Sequence, residues 1–212
     1  MSSAAASLAA SPMLRAPILP TSLRMSLPNV AEMGAMAAAL TEAEKTAVAE
    51  YFSAIRFKPW VKVVEAAQIP EVAAGVNGLF MPVKGGKMIP LGKRLIEVPE
   101  NPDETLFNRN PRSGFIAYVP PGSVKRGERL VKTGGSGKTV ECAICHGDAL
   151  TGLGEVPRIA GLQPVYIARQ LITIKNGTSN GTNVALMKKA VANLTEDDII
   201  AISAYLGSLP PR

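Results

Sequence analysis

Both cysteines of this 212-residue chain and its single histidine fall within five consecutive positions, Cys142-Ala143-Ile144-Cys145-His146. Whatever the chain folds into must serve this one chemical cluster. A closed structural zinc site takes four ligands in a tetrahedron, and Cys and His here supply at most three, all within one helical turn. A redox dithiol uses Cys-x-x-Cys beside a βαβ pattern, whereas glycines precede this pair and Gly147, Gly152, Gly154 and Pro157 follow it. A structural disulfide is chemically open to the two thiols, but it leaves the adjoining histidine as coincidence.

The same five residues match the attachment signature of a c-type haem. Two thiols three positions apart are spaced to form thioether bonds to the two vinyl groups of the porphyrin. The next residue then lies under the iron, where its imidazole becomes the proximal ligand. One covalent haem c at Cys142, Cys145 and His146 is therefore expected.

The opposite face of the iron needs a second ligand, and composition excludes another histidine. A methionine thioether is the remaining soft donor. Of eight methionines, Met187 lies 45 residues after Cys142, beyond a helix-like stretch and the Gly/Asn-rich segment Asn176 to Asn183, and just before the last helix. A lone methionine ordinarily fills core space; an internal repeat argues for ligation instead.

Shifted by 154 residues, Asn29-Val30-Ala31-Glu32-Met33 falls on Asn183-Val184-Ala185-Leu186-Met187, Leu40-Thr41-Glu42 on Leu194-Thr195-Glu196, and Tyr51 on Tyr205. Each copy carries a capping box, Thr41 with Glu44 and Thr195 with Asp198, so each is expected to end in a capped helix. The cysteine matching Cys142 would fall before Met1. The first copy thus reads as cut short, or as a degenerate copy that never held haem, and Met33 receives no ligand role.

A hydrophobic fraction of 47% is that of a chain with a packed core, while 36 Gly and Pro residues predict helices joined by irregular segments. The net charge of +6 is scattered, without the basic runs and interleaved aromatics of a nucleic-acid binder. Such a diffuse basic surface suits brief docking on acidic redox partners. No apolar stretch is long enough to span a bilayer, and Met1 to Pro20 lacks the basic start of a secretory signal.

From Asn29 to Pro211 the chain resembles the dihaem class I cytochromes c, in which two cytochrome domains are fused in tandem. The likeness is strongest in Gly114 to Ser123, the Cys142 motif, Pro157-Arg158-Ile159-Ala160-Gly161 and the Met187 segment. It implies a mostly α protein: a truncated or degenerate cytochrome-like domain over 1–60, an irregular Pro/Gly-rich connector with short β runs over 61–122, and a class I cytochrome c domain over 123–212. It also implies that Pro157, 11 residues after His146, offers its carbonyl to the proximal imidazole, and that Gly127 lets Tyr205 approach where the first and last helices of the domain cross.

Helical spacing in Val124, Gly127, Leu130 and Val131 predicts a helix capped by Ser123 and ended by Gly134 or Gly135. A second helix-like run covers Pro164 to Lys175, where Tyr166 and Arg169 stand either at a pocket wall or on a solvated face. A third covers Thr195 to Ser208. Short β runs are expected at Arg94 to Val98 and Phe115 to Val119, with Met81 and Met88 in a surface loop.

The resemblance implies electron transfer rather than catalysis, in the bacterial periplasm, between a dehydrogenase or quinol-oxidising complex and a terminal oxidase. Two other readings stay open from the residues: a haem enzyme or gas sensor with five-coordinate iron, and a docking subunit held peripherally on a membrane redox complex.

Overall fold

The computed structural model describes residues 30–75, 78–179 and 184–211, and the backbone alone for 30–33. These form two units, one of residues 30–56 with 154–156 and one of the remainder from 57 onward. The stretch Met1 to Pro20, Asn29 and the Asn180 to Asn183 part of the Gly/Asn-rich segment lie outside the described residues, as does the side chain of Met33.

The first unit holds two helices, α1 (Val30–Ala39) and α2 (Glu42–Ala54). Thr41 stops the first and starts the second. Its hydroxyl accepts from the Glu44 backbone N–H while the Glu44 carboxylate accepts from the Thr41 N–H, the reciprocal box expected from sequence.

The second unit begins with seven short strands: β1 (Val61–Glu65), β2 (Gln68–Pro70), β3 (Val72–Ala74), β4 (Phe80–Pro82), β5 (Met88–Pro90), β6 (Ile96–Pro99) and β7 (Phe115–Val119). A five-residue helix, α3 (Pro102–Leu106), separates the last two, opened by the Asn101 side chain. β1 runs parallel to β7, which pairs antiparallel with β6, giving the order β1-β7-β6. β7 alternates as a two-faced strand must: Phe115, Ala117 and Val119 are buried, while Ile116 and Tyr118 pack on the small core of Ile69, Leu91, Ile96 and Val98. Met81 and Met88, expected in a loop, instead lie on β4 and β5, which pair with β3 and β2.

The helical part follows as α4 (Ser123–Thr133), α5 (Ala143–His146), α6 (Pro164–Lys175), α7 (Val184–Val191) and α8 (Glu196–Ser208). α8 is the buried centre, its residues from Asp198 to Gly207 nearly all out of water and packed on α4 and α6. α4 crosses it at Gly127. A side-chain carbon at that position would stand 1.9 Å from the Ala201 carbonyl oxygen and 2.8 Å from Tyr205 Cβ, so the close approach tolerates only glycine.

α4 ends on Gly134 in the left-handed conformation, as its sequence predicts. Its start differs from expectation. The cap position is Gly122, and Ser123 is buried and makes no capping hydrogen bond. The Val124 N–H donates instead to the carboxylate of Glu65 on β1, 59 residues away, at 2.7 Å. A carboxylate satisfies a free amide at this end and complements the helix dipole, which a hydroxyl does less well. Glu65→Ala is expected to cost about 1 kcal/mol of unfolding free energy by denaturant titration, the usual loss for a deleted N-cap.

Candidate haem-attachment site

The Cys142 segment is built by backbone hydrogen bonds on both sides. Cys142 N–H donates to Val131 O at 3.0 Å, hanging the motif from the last turn of α4, and His146 N–H closes the single turn of α5 onto Cys142 O at 2.9 Å. Gly147, at φ +78°, turns the chain back. Gly152 N–H then reaches His146 O, and Ile159 and Ala160 both donate to Leu150 O. The result brings residues 157–160 beside the imidazole.

There the carbonyl oxygen of Pro157 lies 2.7 Å from His146 Nδ1. A carbonyl only accepts, so Nδ1 carries the proton and donates. In the neutral tautomer that donates from Nδ1 the lone pair of Nε2 is available to a metal, and the bond holds the ring in one orientation. His146 is 7% exposed. Both cysteines are free thiols, Cys142 half-buried and Cys145 exposed. Burial, and secondarily the neighbouring Cys145, push the Cys142 thiol up to about 11, so it stays protonated at neutral pH.

Met187 lies within α7 rather than on a loop, a short helix of Val-Ala-Leu-Met-Lys-Lys-Ala-Val that the sequence reading did not separate from the Gly/Asn-rich stretch before it. It is half-buried and packs against the helical core, the same core that Cys142, Ala143 and Ile159 border. Thr139, three residues before Cys142, fixes the end of α7 through its hydroxyl, which donates to Ala190 O at 2.7 Å. Cys142, Cys145, His146, Pro157 and Met187 are thus all carried by segments packed on one core. Among the described residues no three Cys, His, Asp or Glu side chains converge as a metal cluster.

The donor set fits a c-type haem. It comprises an imidazole with its Nδ1 committed, two thiols one and four positions before it in sequence, and a thioether on the same core.

Sequence reasoning missed two glutamates. Besides Glu65, Glu97 on β6 accepts from the Gln163 side-chain amide at 2.9 Å, just ahead of α6. Burial pushes the Glu97 carboxyl above the usual carboxylate range, opposed by the backbone N–H of Val165 in the first turn of α6. Neither glutamate has a local sequence signature, because each acts on a helix about sixty residues further along. Tyr166 and Arg169 both lie on α6, the Arg169 guanidinium 5.8 Å from the centre of the Tyr166 ring.

No family model matches the chain. The thiosulfate dehydrogenase electron acceptor of Thiomonas intermedia is 30% identical over 109 residues, 50% of this chain and 50% of that protein. Cytochrome c4 of Stutzerimonas stutzeri is 29% identical over 102 residues, 46% of this chain and 49% of the relative. Cytochrome c-554(547) of Halothiobacillus neapolitanus is 34% identical over 85 residues, which are 35% of this chain and 93% of the relative. The chain spans about half the length of the first two. Among the described residues no helix is long and apolar enough to cross a membrane.

Proposed function

This chain belongs to the cytochrome c family, and on that premise we propose that it passes single electrons through one covalently held haem c in the periplasm. Cys142 and Cys145 are the thioether positions, His146 the proximal ligand and Met187 the distal one. The single observation that carries the reading is the hydrogen bond from His146 Nδ1 to Pro157 O, since it prepares the imidazole for a metal and has no other evident use.

When bound, a haem c supplies reversible one-electron chemistry at its iron. The chain's own residues set the terms of that exchange. His146 is oriented by Pro157 and shielded from water; a carbonyl acceptor on its far nitrogen makes the imidazole a stronger donor. Met187 offers a neutral thioether, which favours the reduced state and raises the potential. The core of Leu130, Leu150, Ile167 and Leu171 keeps the surroundings apolar.

In this reading residues 123–212 form the haem domain, 61–122 a connector and 1–60 a first, cytochrome-like domain. A dehydrogenase or quinol-oxidising complex supplies electrons and a terminal oxidase takes them, with docking through the basic surface that the net charge of +6 provides. One relative's own name, an electron acceptor of thiosulfate dehydrogenase, supports a dehydrogenase donor.

Protein matured in a haem-attaching periplasm is expected to gain the mass of one haem and, when oxidised, to show the weak red absorption band of a sulfur–iron bond. Met187→Ala removes the band and keeps the mass. Two free thiols without added mass would sink the reading.

A further inference from the structure

The helix that carries Met187 is gripped at one end. The buried residues of α7, Ala190 and Val191, both lie in its last turn, while Leu186, Lys188 and Lys189 face water. Eight residues form too few internal bonds to hold a helix in place by themselves, so whatever anchors that last turn sets where Met187 stands. The last four carbonyls of a helix have no partner within it. In α7 the Val191 carbonyl accepts from the Leu194 N–H at 3.1 Å, and the Ala190 carbonyl accepts from the Thr139 hydroxyl at 2.7 Å.

Thr139 is itself anchored. Its N–H donates to Gly134 O at 3.0 Å, and the packing there is so close that a side-chain carbon on Gly134 would lie 2.5 Å from the Thr139 carbonyl oxygen. The preceding residue, Lys138, donates to Asp198 in the first turn of α8 at 2.9 Å, and Cys142 N–H, three positions on, reaches Val131 O on α4. The strap over 138–142 thus ties the Cys142 motif to α4 and meets the corner between α7 and α8 with two adjacent side chains. Lys138 holds the start of α8, and Thr139 holds the end of α7.

We infer that Thr139 is a positioning residue for Met187: by holding the end of α7 it keeps the thioether at the iron against competing ligands. The inference rests on the haem reading above. Without the hydroxyl, the carbonyl of Ala190, a residue only 9% exposed, is left unpaired, and it regains a partner when the end of α7 moves toward water. Such a movement displaces Met187, three positions earlier on the same short helix. It leaves His146 in place, because the bonds of that residue run to Cys142, Gly152 and Pro157. The effect falls on the distal ligand.

The test is titration of the oxidised mature protein with imidazole, which competes with a methionine for the iron, followed through the loss of the weak red band. Thr139→Val keeps the shape of the side chain and deletes its hydroxyl. It is expected to bind imidazole about three- to tenfold more tightly than the wild-type protein, the equivalent of one lost hydrogen bond. Thr139→Ser is expected to restore the wild-type affinity. Lys138→Met loosens α8 through the same strap, and is expected to lower the urea midpoint while leaving imidazole affinity unchanged. An unchanged affinity in Thr139→Val, or an equal rise in Lys138→Met, would overturn the inference and leave the haem reading standing. Wild-type protein that carries haem but takes imidazole as readily as Met187→Ala would overturn the assignment of Met187, and this inference with it. Thr139→Ala supplies the same comparison if the valine variant does not mature.

Discussion

Gly127→Ala is expected to destabilise the protein by about 3 kcal/mol or more, the upper end of what overpacking a tight contact costs. The sign runs against helix propensity, which ordinarily gives alanine an advantage of about 0.5–1 kcal/mol over glycine inside a helix. Here the added carbon would meet the Ala201 carbonyl oxygen at 1.9 Å and its carbon at 2.6 Å. Both are backbone atoms of α8, so relief requires the two helices to separate, and α8 carries much of the core. Gly34 on α1 supplies the control, since an alanine there meets nothing within 4 Å. Urea unfolding of the two variants decides the matter: equal effects would mean that the crossing has room to spare.

Asp198→Ala is expected to cost about 2–4 kcal/mol at neutral pH, combining a lost cap with a broken buried ion pair. The carboxylate is 1% exposed. One oxygen accepts from Arg126 at 2.6 Å and the other from Lys138 at 2.9 Å, from the Thr195 hydroxyl at 2.7 Å and from the Thr195 N–H at 3.0 Å. Burial alone would raise its proton affinity. The bonds from Lys138, Thr195 and Arg126 outweigh burial and hold the carboxyl well below the usual range. A group depressed in the folded state stabilises above its unfolded value, about 3.9, and loses that contribution as pH falls through the folded one. The stability gap between wild type and Asp198→Asn is therefore expected to be flat above about pH 5 and to shrink below about pH 4. A gap that widens on acidification would contradict this assignment.

Local rules made a large part of the fold legible. The boundaries of α6 and α8, the Gly134 end of α4, both capping boxes and strand β7 follow from cap residues, glycine and alternation within a dozen positions. The Cys142 to His146 cluster stands out because the chain has no other cysteine or histidine to compete with it. Strands β2 to β5 were not, since three residues are too few for alternation to register. α7 is only eight residues long and follows a Gly/Asn-rich run, which hid the helix that carries Met187. Asp198 could be recognised as a cap, yet its pairing with Arg126 and Lys138 joins positions 72 and 60 residues apart, beyond any local pattern. Long-range partners of this kind, Glu65 and Glu97 among them, fix how the helices are held.

The parallel pairing of β1 with β7 sets an order on biosynthesis. Val61 to Glu65 leaves the ribosome well before the strand it must pair with, and the helix that Glu65 caps is made later still. During that interval the nascent chain presents an unpaired strand edge, the kind of surface that recruits other chains. Lys62, the exposed second residue of that strand, pairs with Glu100 only once the later segment exists, and until then puts a charge where a foreign strand would dock. Its value would then lie in yield during synthesis rather than in the stability of the finished molecule.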